Sequence, residues 1–432
     1  MTGGDTKPAV DSAAGNYRAY YSLAALVLGI LAGMLAGQLG EGPRDEALAV
    51  ASFVGTLWLN ALKMTVIPLV VALLVVGIAK SAEAAHAGRI AGLSVLWIVI
   101  LCTASAVFGA LAVALLTHVF PLARSTAGLL QVALGHVEQS SSGPLPGVAD
   151  FFKGIVPPNV IAAASNGDIL PLTVFSTVFA LALTRVPAAG RNAVVAVFDG
   201  VAEALLIVIA WVLAVAPLGV LALAFTVGSA AGGAAFAGLG HYVVIISVIG
   251  ILVTLAAYPL ASLLGGIPIG RFTRGLIAPQ TVAVSTRSSL ASLPAMLTTS
   301  KSLGIGEEVG DVTLPIAVAL YRMTGPAMNV AVAFYVAHWL GLQPGLAQMI
   351  AATAVGAVMS YGAVSLPGEV SYISSIAPIA LALGVPIAPL GLLVAVEMVP
   401  DIFRTVGNVT HDVALAGIVD RATRARAAKS KA

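Results

Sequence analysis

Charge is scarce in this chain. Only 9% of its 432 residues are Asp, Glu, Lys or Arg, against roughly 25% in a soluble globular domain. That shortage excludes an ordinary water-exposed surface. The charges nearly cancel, to a formal net of +2, so no broad basic face for nucleic acid is expected. The single cysteine, Cys102, sits in an apolar run, which rules out an intrachain disulfide. No base is visible beside it in the sequence. The six histidines include no H-E-x-x-H and no paired cluster, leaving little for a membrane-embedded protease or acyltransferase. An enzyme is not expected, nor is a cofactor. Met1 to Ala14 carry charges of both signs and no apolar core, so a cleavable leader is not expected there.

Hydrocarbon is what the chain does have. It is 59% hydrophobic, its mean hydropathy is +1.02, and its 45 glycines permit close helix contact. These features predict a polytopic, all-α membrane protein. Six apolar segments read as spans: Tyr21 to Leu39, Ala47 to Ile78, Ile90 to Val119, Phe151 to Leu183, Val201 to Thr226 and Tyr242 to Ile267. The second holds Lys63 and Pro68. The fourth is interrupted by Pro157, Pro158, Asn166, Gly167 and Asp168. A Gly- and Ser-rich stretch, Gly135 to Gly154, reads as an exposed loop. Cations recur after the even-numbered spans, at Lys80 and Arg89, Arg185 and Arg191, Arg271 and Arg274, and from Arg421 to Lys431. By the positive-inside rule this bias predicts both termini in the cytoplasm.

The last third does not divide into simple spans. Gln280 to Pro294 gathers hydroxyls around a lone Arg287, and Ser360 to Val370 contains the turn Ser365-Leu366-Pro367-Gly368 beside Glu369. Backbone freed by such breaks must face protein or a watery cavity, so both stretches read as re-entrant hairpins. Between them, Gly325-Pro326 predicts a break in mid-membrane, with Arg322 as an intramembrane cation. Arg322 could snorkel to an interface, or neutralise Glu369 or a carboxylate of the last span.

That last segment is the densest in polar groups. Asp401, Arg404, Thr405, Asn408 and Asp412 recur at spacings of three and four, so one helix face carries them all, with Glu397 one turn earlier. Arg404 suits a substrate carboxylate, and Asp401 an ammonium. Asp412 and the Asn408 side chain offer hard oxygens to a cation such as Na⁺. A purely structural Asp401–Arg404 pair is the plainer alternative. His411 reads as facing the other side or as a proton relay. Groups this costly at membrane depth mark a site or a path.

On these residues the chain resembles the dicarboxylate/amino acid:cation symporter family, the glutamate-transporter fold, from about residue 20 to 422. The resemblance rests on Leu62 to Leu69, on Pro158-Asn159-Val160 with Asp168 to Leu172, on Thr286 to Ser289 through Pro294, and most specifically on the pattern D-x-x-R-T-x-x-N-x-T-x-D from Asp401 to Asp412. It implies eight transmembrane helices plus two re-entrant hairpins, assembled as a homotrimer in the cell (inner) membrane. Residues 1–18 would be a cytoplasmic segment and 19–270 six spans with the trimerisation scaffold. Residues 271–422 would be the core transport domain and 423–432 a basic cytoplasmic tail. Arg404 would bind an acidic substrate's side-chain carboxylate and Asp401 its amino group, with Thr405 and Asn408 completing the pocket. Ser288 and Ser289 would take the main carboxylate, Asn408 and Asp412 would belong to a sodium site, and Ser365, Leu366, Pro367 and Gly368 would form the gate.

The seventh span departs from the pattern. Where the family typically has Asn-Met-Asp-Gly-Thr, this chain has Arg322-Met323-Thr324-Gly325-Pro326. An arginine there repels a nearby Na⁺, so one sodium site is expected to be lost or remodelled, with Na⁺ and/or H⁺ as coupling ion and Arg322 and Glu369 in charge compensation. The function this implies is symport of an acidic amino acid. A proton-coupled C4-dicarboxylate symporter and an anion-conducting, channel-like protein are the alternatives.

Overall fold

The computed structural model describes residues 12–36, 41–86, 88–123, 125–126, 128–129, 155–360 and 368–429. All regular structure among them is helical. Five helical stretches are long and apolar enough to cross a bilayer: Gly42–His86, Arg89–Val119, Ala188–Ala214, Ala234–Leu263 and Glu307–Trp339. Shorter apolar helices, including Ile169–Leu183 and Leu346–Met359, lie between them. The chain is an all-α, multi-spanning membrane protein. The loop expected over Gly135 to Gly154 lies outside the described residues.

Helices α1 (Ser12–Ala36), α2 (Glu41–His86) and α3 (Arg89–Val119) match the first three predicted spans. At roughly 69 Å, α2 far exceeds the ~30 Å hydrocarbon layer and runs unbroken through Pro68. The fourth segment splits where the sequence predicts, into α4 (Val160–Asn166) and α5 (Ile169–Leu183). The Asn159 side chain caps α4 by accepting from the Ile161 and Ala162 N–H groups. Gly167 ends it with φ at 78°, a left-handed conformation that costs glycine nothing.

The fifth span corrects the sequence reading. A single helix over Val201 to Thr226 is expected, but two helices occupy the region, α6 (Ala188–Ala214) and α7 (Ala216–Ala231). Pro217 in the first turn of α7 is the cause, since it brings no N–H and its ring blocks continuation from α6. The indole of Trp58 then donates to the Val212 carbonyl at 3.0 Å, closing one of the freed helix-end groups. Helix α8 (Ala234–Leu263) follows.

In the last third, α9 (Ile269–Thr286) and α10 (Ser289–Leu303) form a helical hairpin, tied across its legs by Thr299 Oγ1 donating to the Gly275 carbonyl at 2.9 Å. Helices α11 (Glu307–Leu320) and α12 (Thr324–Trp339) follow. Their break lies at Tyr321–Met323, not at Gly325-Pro326. Pro326 falls in the first turn of α12, where a missing N–H is harmless. Helices α13 (Leu346–Met359) and α14 (Gly368–Leu383) pack on each other as a second pair, while the connecting residues 361–367 lie outside the described residues. A short α15 (Ala388–Leu393) and a turn lead into α16 (Met398–Lys429).

Two packing groups result. In one, α1 lies along α7, and α2 crosses α5, α6 and α7. A Cβ on Gly33 would stand 2.2 Å from the Phe225 carbonyl oxygen, so α1 and α7 touch backbone to backbone. In the other, α16 is enclosed by α3 and α8 through α12. Arg421 and Arg424 fasten its far end. Arg421 donates to the Leu263 carbonyl at the end of α8, and Arg424 to the Gly304 carbonyl at the end of α10, each at 2.7 Å.

Candidate functional site

The face of α16 from Asp401 to Asp412 is buried: Asp401, Thr405, Asn408 and Asp412 are each 9% exposed or less. Three elements bring partners to it. These are the turn between α9 and α10, the break between α11 and α12, and α12 itself.

The α9–α10 turn is two residues long, Arg287 and Ser288. Arg287 adopts φ 50°, the one positive φ among the described non-glycine residues, and its N–H bonds to the Ala283 carbonyl at 2.8 Å. A left-handed arginine costs about 1–2 kcal/mol, and such strain gathers where a structure serves function. The conformation sets the Arg287 guanidinium 3.8 Å from Asp401 Oδ2. Ser288 caps α10, its Oγ accepting from the Ala291 N–H at 3.2 Å, and Ser289 is the first residue of that helix. The predicted tip residues and the α16 face thus converge.

At the α11–α12 break, Thr324 meets α16. Its N–H donates to Asn408 Oδ1 at 3.1 Å, and its hydroxyl lies 2.6 Å from the same oxygen and 2.8 Å from the Arg404 carbonyl. Ser105 of α3 donates to the Met323 carbonyl. Arg322 donates to Ser371 Oγ on α14 at 3.2 Å. Whether it pairs with Glu369 falls outside the described side chains. The expected gate residues Ser365, Leu366 and Pro367 also lie outside the described residues, and Gly368 opens α14.

Arg404 makes a different pair from the one the spacing suggests. Its Nη2 donates to Glu397, not to Asp401, and its Nη1 donates to Asn329 Oδ1 at 3.0 Å. Glu397 Oε2 also accepts from the Tyr242 hydroxyl at 2.9 Å, which is 3.0 Å from that of Tyr372. The Nε–H of Arg404 is buried and has no partner among the described residues. Thr405 turns its hydroxyl back to the Asp401 carbonyl at 2.9 Å. Asn329, Tyr242 and Tyr372 escape sequence reasoning. Their only signal is an isolated polar group in an apolar run, which says nothing of which distant helix it meets.

The cation oxygens differ in availability. Asn408 Oδ1 is committed to Thr324, so it does not fit a cation in this arrangement. Both carboxylate oxygens of Asp412 are fully buried without a hydrogen-bond partner among the described residues, and they do fit one. His411 faces away, its Nε2 2.8 Å from the Val253 carbonyl of α8 and its ring edge-on to Tyr321.

A family model described as the sodium:dicarboxylate symporter family matches residues 20–422. The chain is 26% identical to a proton/sodium-glutamate symport protein of Bacillus caldotenax, over 91% of this chain and 92% of that protein. It is also 26% identical to a C4-dicarboxylate transport protein of Albidiferax ferrireducens, over 91% and 85%. To neutral amino acid transporter A of Homo sapiens it is 29% identical, over 91% and 81%.

Proposed function

Since the chain belongs to the sodium:dicarboxylate symporter family, a family of transporters and not of enzymes, we propose that it carries an acidic amino acid such as glutamate or aspartate inward. The general activity, cation-coupled symport of an acidic solute, follows from its relatives. The observation that supports the finer reading is the meeting of Arg287, beside Ser288 and Ser289 at the hairpin tip, with Asp401 on the face of α16 that also holds Arg404. The main carboxylate would meet the start of α10, where helix N–H groups favour anions. The side-chain carboxylate would meet Arg404, and the ammonium Asp401.

Alternating access fits the two packing groups. The α1, α2, α5, α6 and α7 helices would be the trimerisation scaffold of a homotrimer. The α9 to α16 helices, with α3 and α8, would be the moving transport domain, within eight spans and two re-entrant hairpins. Ser365, Leu366, Pro367 and Gly368 would gate the site, with Glu369 and Arg322 in charge compensation. Both termini would be cytoplasmic, in the cell membrane. Cation and solute would bind cooperatively, because each neutralises buried charge that the other brings.

For coupling, Asp412 would hold the cation. Thr324 and Arg322, where the family pattern has an acid and an amide, would reduce sodium coupling in favour of fewer Na⁺ or of H⁺. One observation favours a second reading, a proton-coupled C4-dicarboxylate symporter: Arg287 already gives Asp401 a cation, so no substrate ammonium is required. Uptake of labelled L-aspartate and L-glutamate into proteoliposomes, with Na⁺ and pH gradients imposed separately and succinate as competitor, tests both. Amino acid uptake driven by either gradient supports the first reading. Strong succinate inhibition with uptake driven by the pH gradient alone supports the second, and no gradient-driven uptake of either solute sinks both.

A further inference from the structure

Glu397 stands outside the polar pattern of the last span, yet it holds the residue on which solute recognition would turn. Its carboxylate is 3% exposed as a residue, takes Arg404 Nη2 on one oxygen and the Tyr242 hydroxyl on the other, and sits in the turn before α16 rather than on its helix. Asn329 Oδ1 takes Nη1 at 3.0 Å. Two of the three guanidinium nitrogens are therefore fixed by the protein, and the third, Nε, is a buried donor without a partner among the described residues.

An orphaned buried N–H calls for an explanation, and its setting supplies one. Glu397 and Asn329 pin the fork so that one N–H is left over, beside a pair whose net charge is zero. A donor of that kind gives its hydrogen bond to any oxygen. It does not reward a full negative charge, because an incoming carboxylate meets Glu397 as well as Arg404. Repulsive elements of this sort set selectivity as much as attractive ones do.

Resting on the reading of this face as the solute site, we propose that Glu397 is a specificity-determining residue. It positions Arg404 and masks its charge, so that the site admits solutes whose distal group is an uncharged amide nearly as well as those with a carboxylate. The solute class is thereby widened from diacids and acidic amino acids to their monoamides.

Competition for uptake in proteoliposomes of the full-length protein tests this, with L-aspartate against L-asparagine and succinate against succinamate. In the wild-type protein each acid and its amide differ by less than about tenfold. Glu397→Gln keeps the acceptor oxygen and the shape but removes the charge. The preference for the acid is then expected to rise by about tenfold, the scale on which a buried charge partner acts. Tyr242→Phe removes one anchor of Glu397 and is expected to move the same ratio in the same direction by about two- to threefold, which decides the matter should the first variant fail to fold. An unchanged ratio, or an equal loss for acid and amide, overturns the proposal, since a merely structural Glu397 would affect both alike. That outcome with wild-type uptake intact counts against Glu397 alone. A wild-type protein that carries none of the four solutes sinks the solute reading and this proposal with it.

Discussion

The helix break at Val215 and the one at Tyr321–Met323 begin from the same problem, N–H and C=O groups released inside a membrane protein. They end differently. At Val215 the release is answered simply: Pro217 has no N–H to lose, and Trp58 of α2 covers the Val212 carbonyl. At Tyr321–Met323 the backbone is answered by two other helices, with Ser105 on the Met323 carbonyl and Asn408 on the Thr324 N–H, while Ser371 of a third takes the Arg322 side chain. Around it lie buried polar atoms with no partner among the described residues: both Asp412 oxygens, His411 Nδ1, the Tyr321 hydroxyl and Arg404 Nε. A break closed by one indole is a bend. A break that collects side chains from several helices and leaves polar atoms open beside it is a junction built for something to pass or bind.

Three substitutions press on that contrast. The largest effect is expected at Asp412. Asp412→Asn keeps the volume and removes the charge, so cation-driven uptake is expected to be abolished. The unfolding temperature should hold or rise, because a buried charge without a paired partner costs stability. Uptake that kept its ion dependence would erase the contrast with Val215. Thr324→Val, isosteric at the junction, removes the hydroxyl that serves Asn408 or the Arg404 carbonyl. About 1–2 kcal/mol of stability is expected to go, with a raised KM for solute because Asn408 and Arg404 share the loss. A lower unfolding temperature with KM unchanged would make this break as inert as the other. The smallest effect is expected at Trp58→Phe, which uncovers the Val212 carbonyl for about 1 kcal/mol. Thermal unfolding should register it, and KM should not.

The spacing of Asp401, Arg404, Thr405, Asn408 and Asp412 made the α16 face legible, because a regular helix carries a three-and-four pattern faithfully. The α9–α10 turn was legible too, since hydroxyls around Arg287 have no business facing lipid. The Arg404 partner was not. Glu397 precedes the helix and reaches Arg404 by way of a turn, so helical spacing does not govern it, and Asn329 and Tyr242 arrive from α12 and α8. Pro217 was missed because its neighbours are as apolar as any span and hydropathy shows no dip. Gly325-Pro326 was overread: proline in a first helical turn marks a beginning, and the break sits just before it.

The two arginines at the far end of α16 have a mechanical consequence. Arg421 is buckled to the last carbonyl of α8, and Arg424 to the residue that closes α10. The rod that carries Asp401 and Asp412 is thus lashed at its foot to the span on one side and to the hairpin on the other. Its head touches that same hairpin through Arg287 and Asp401. A force that shifts the rod must drag both companions along, so any sliding surface has to run outside this bundle.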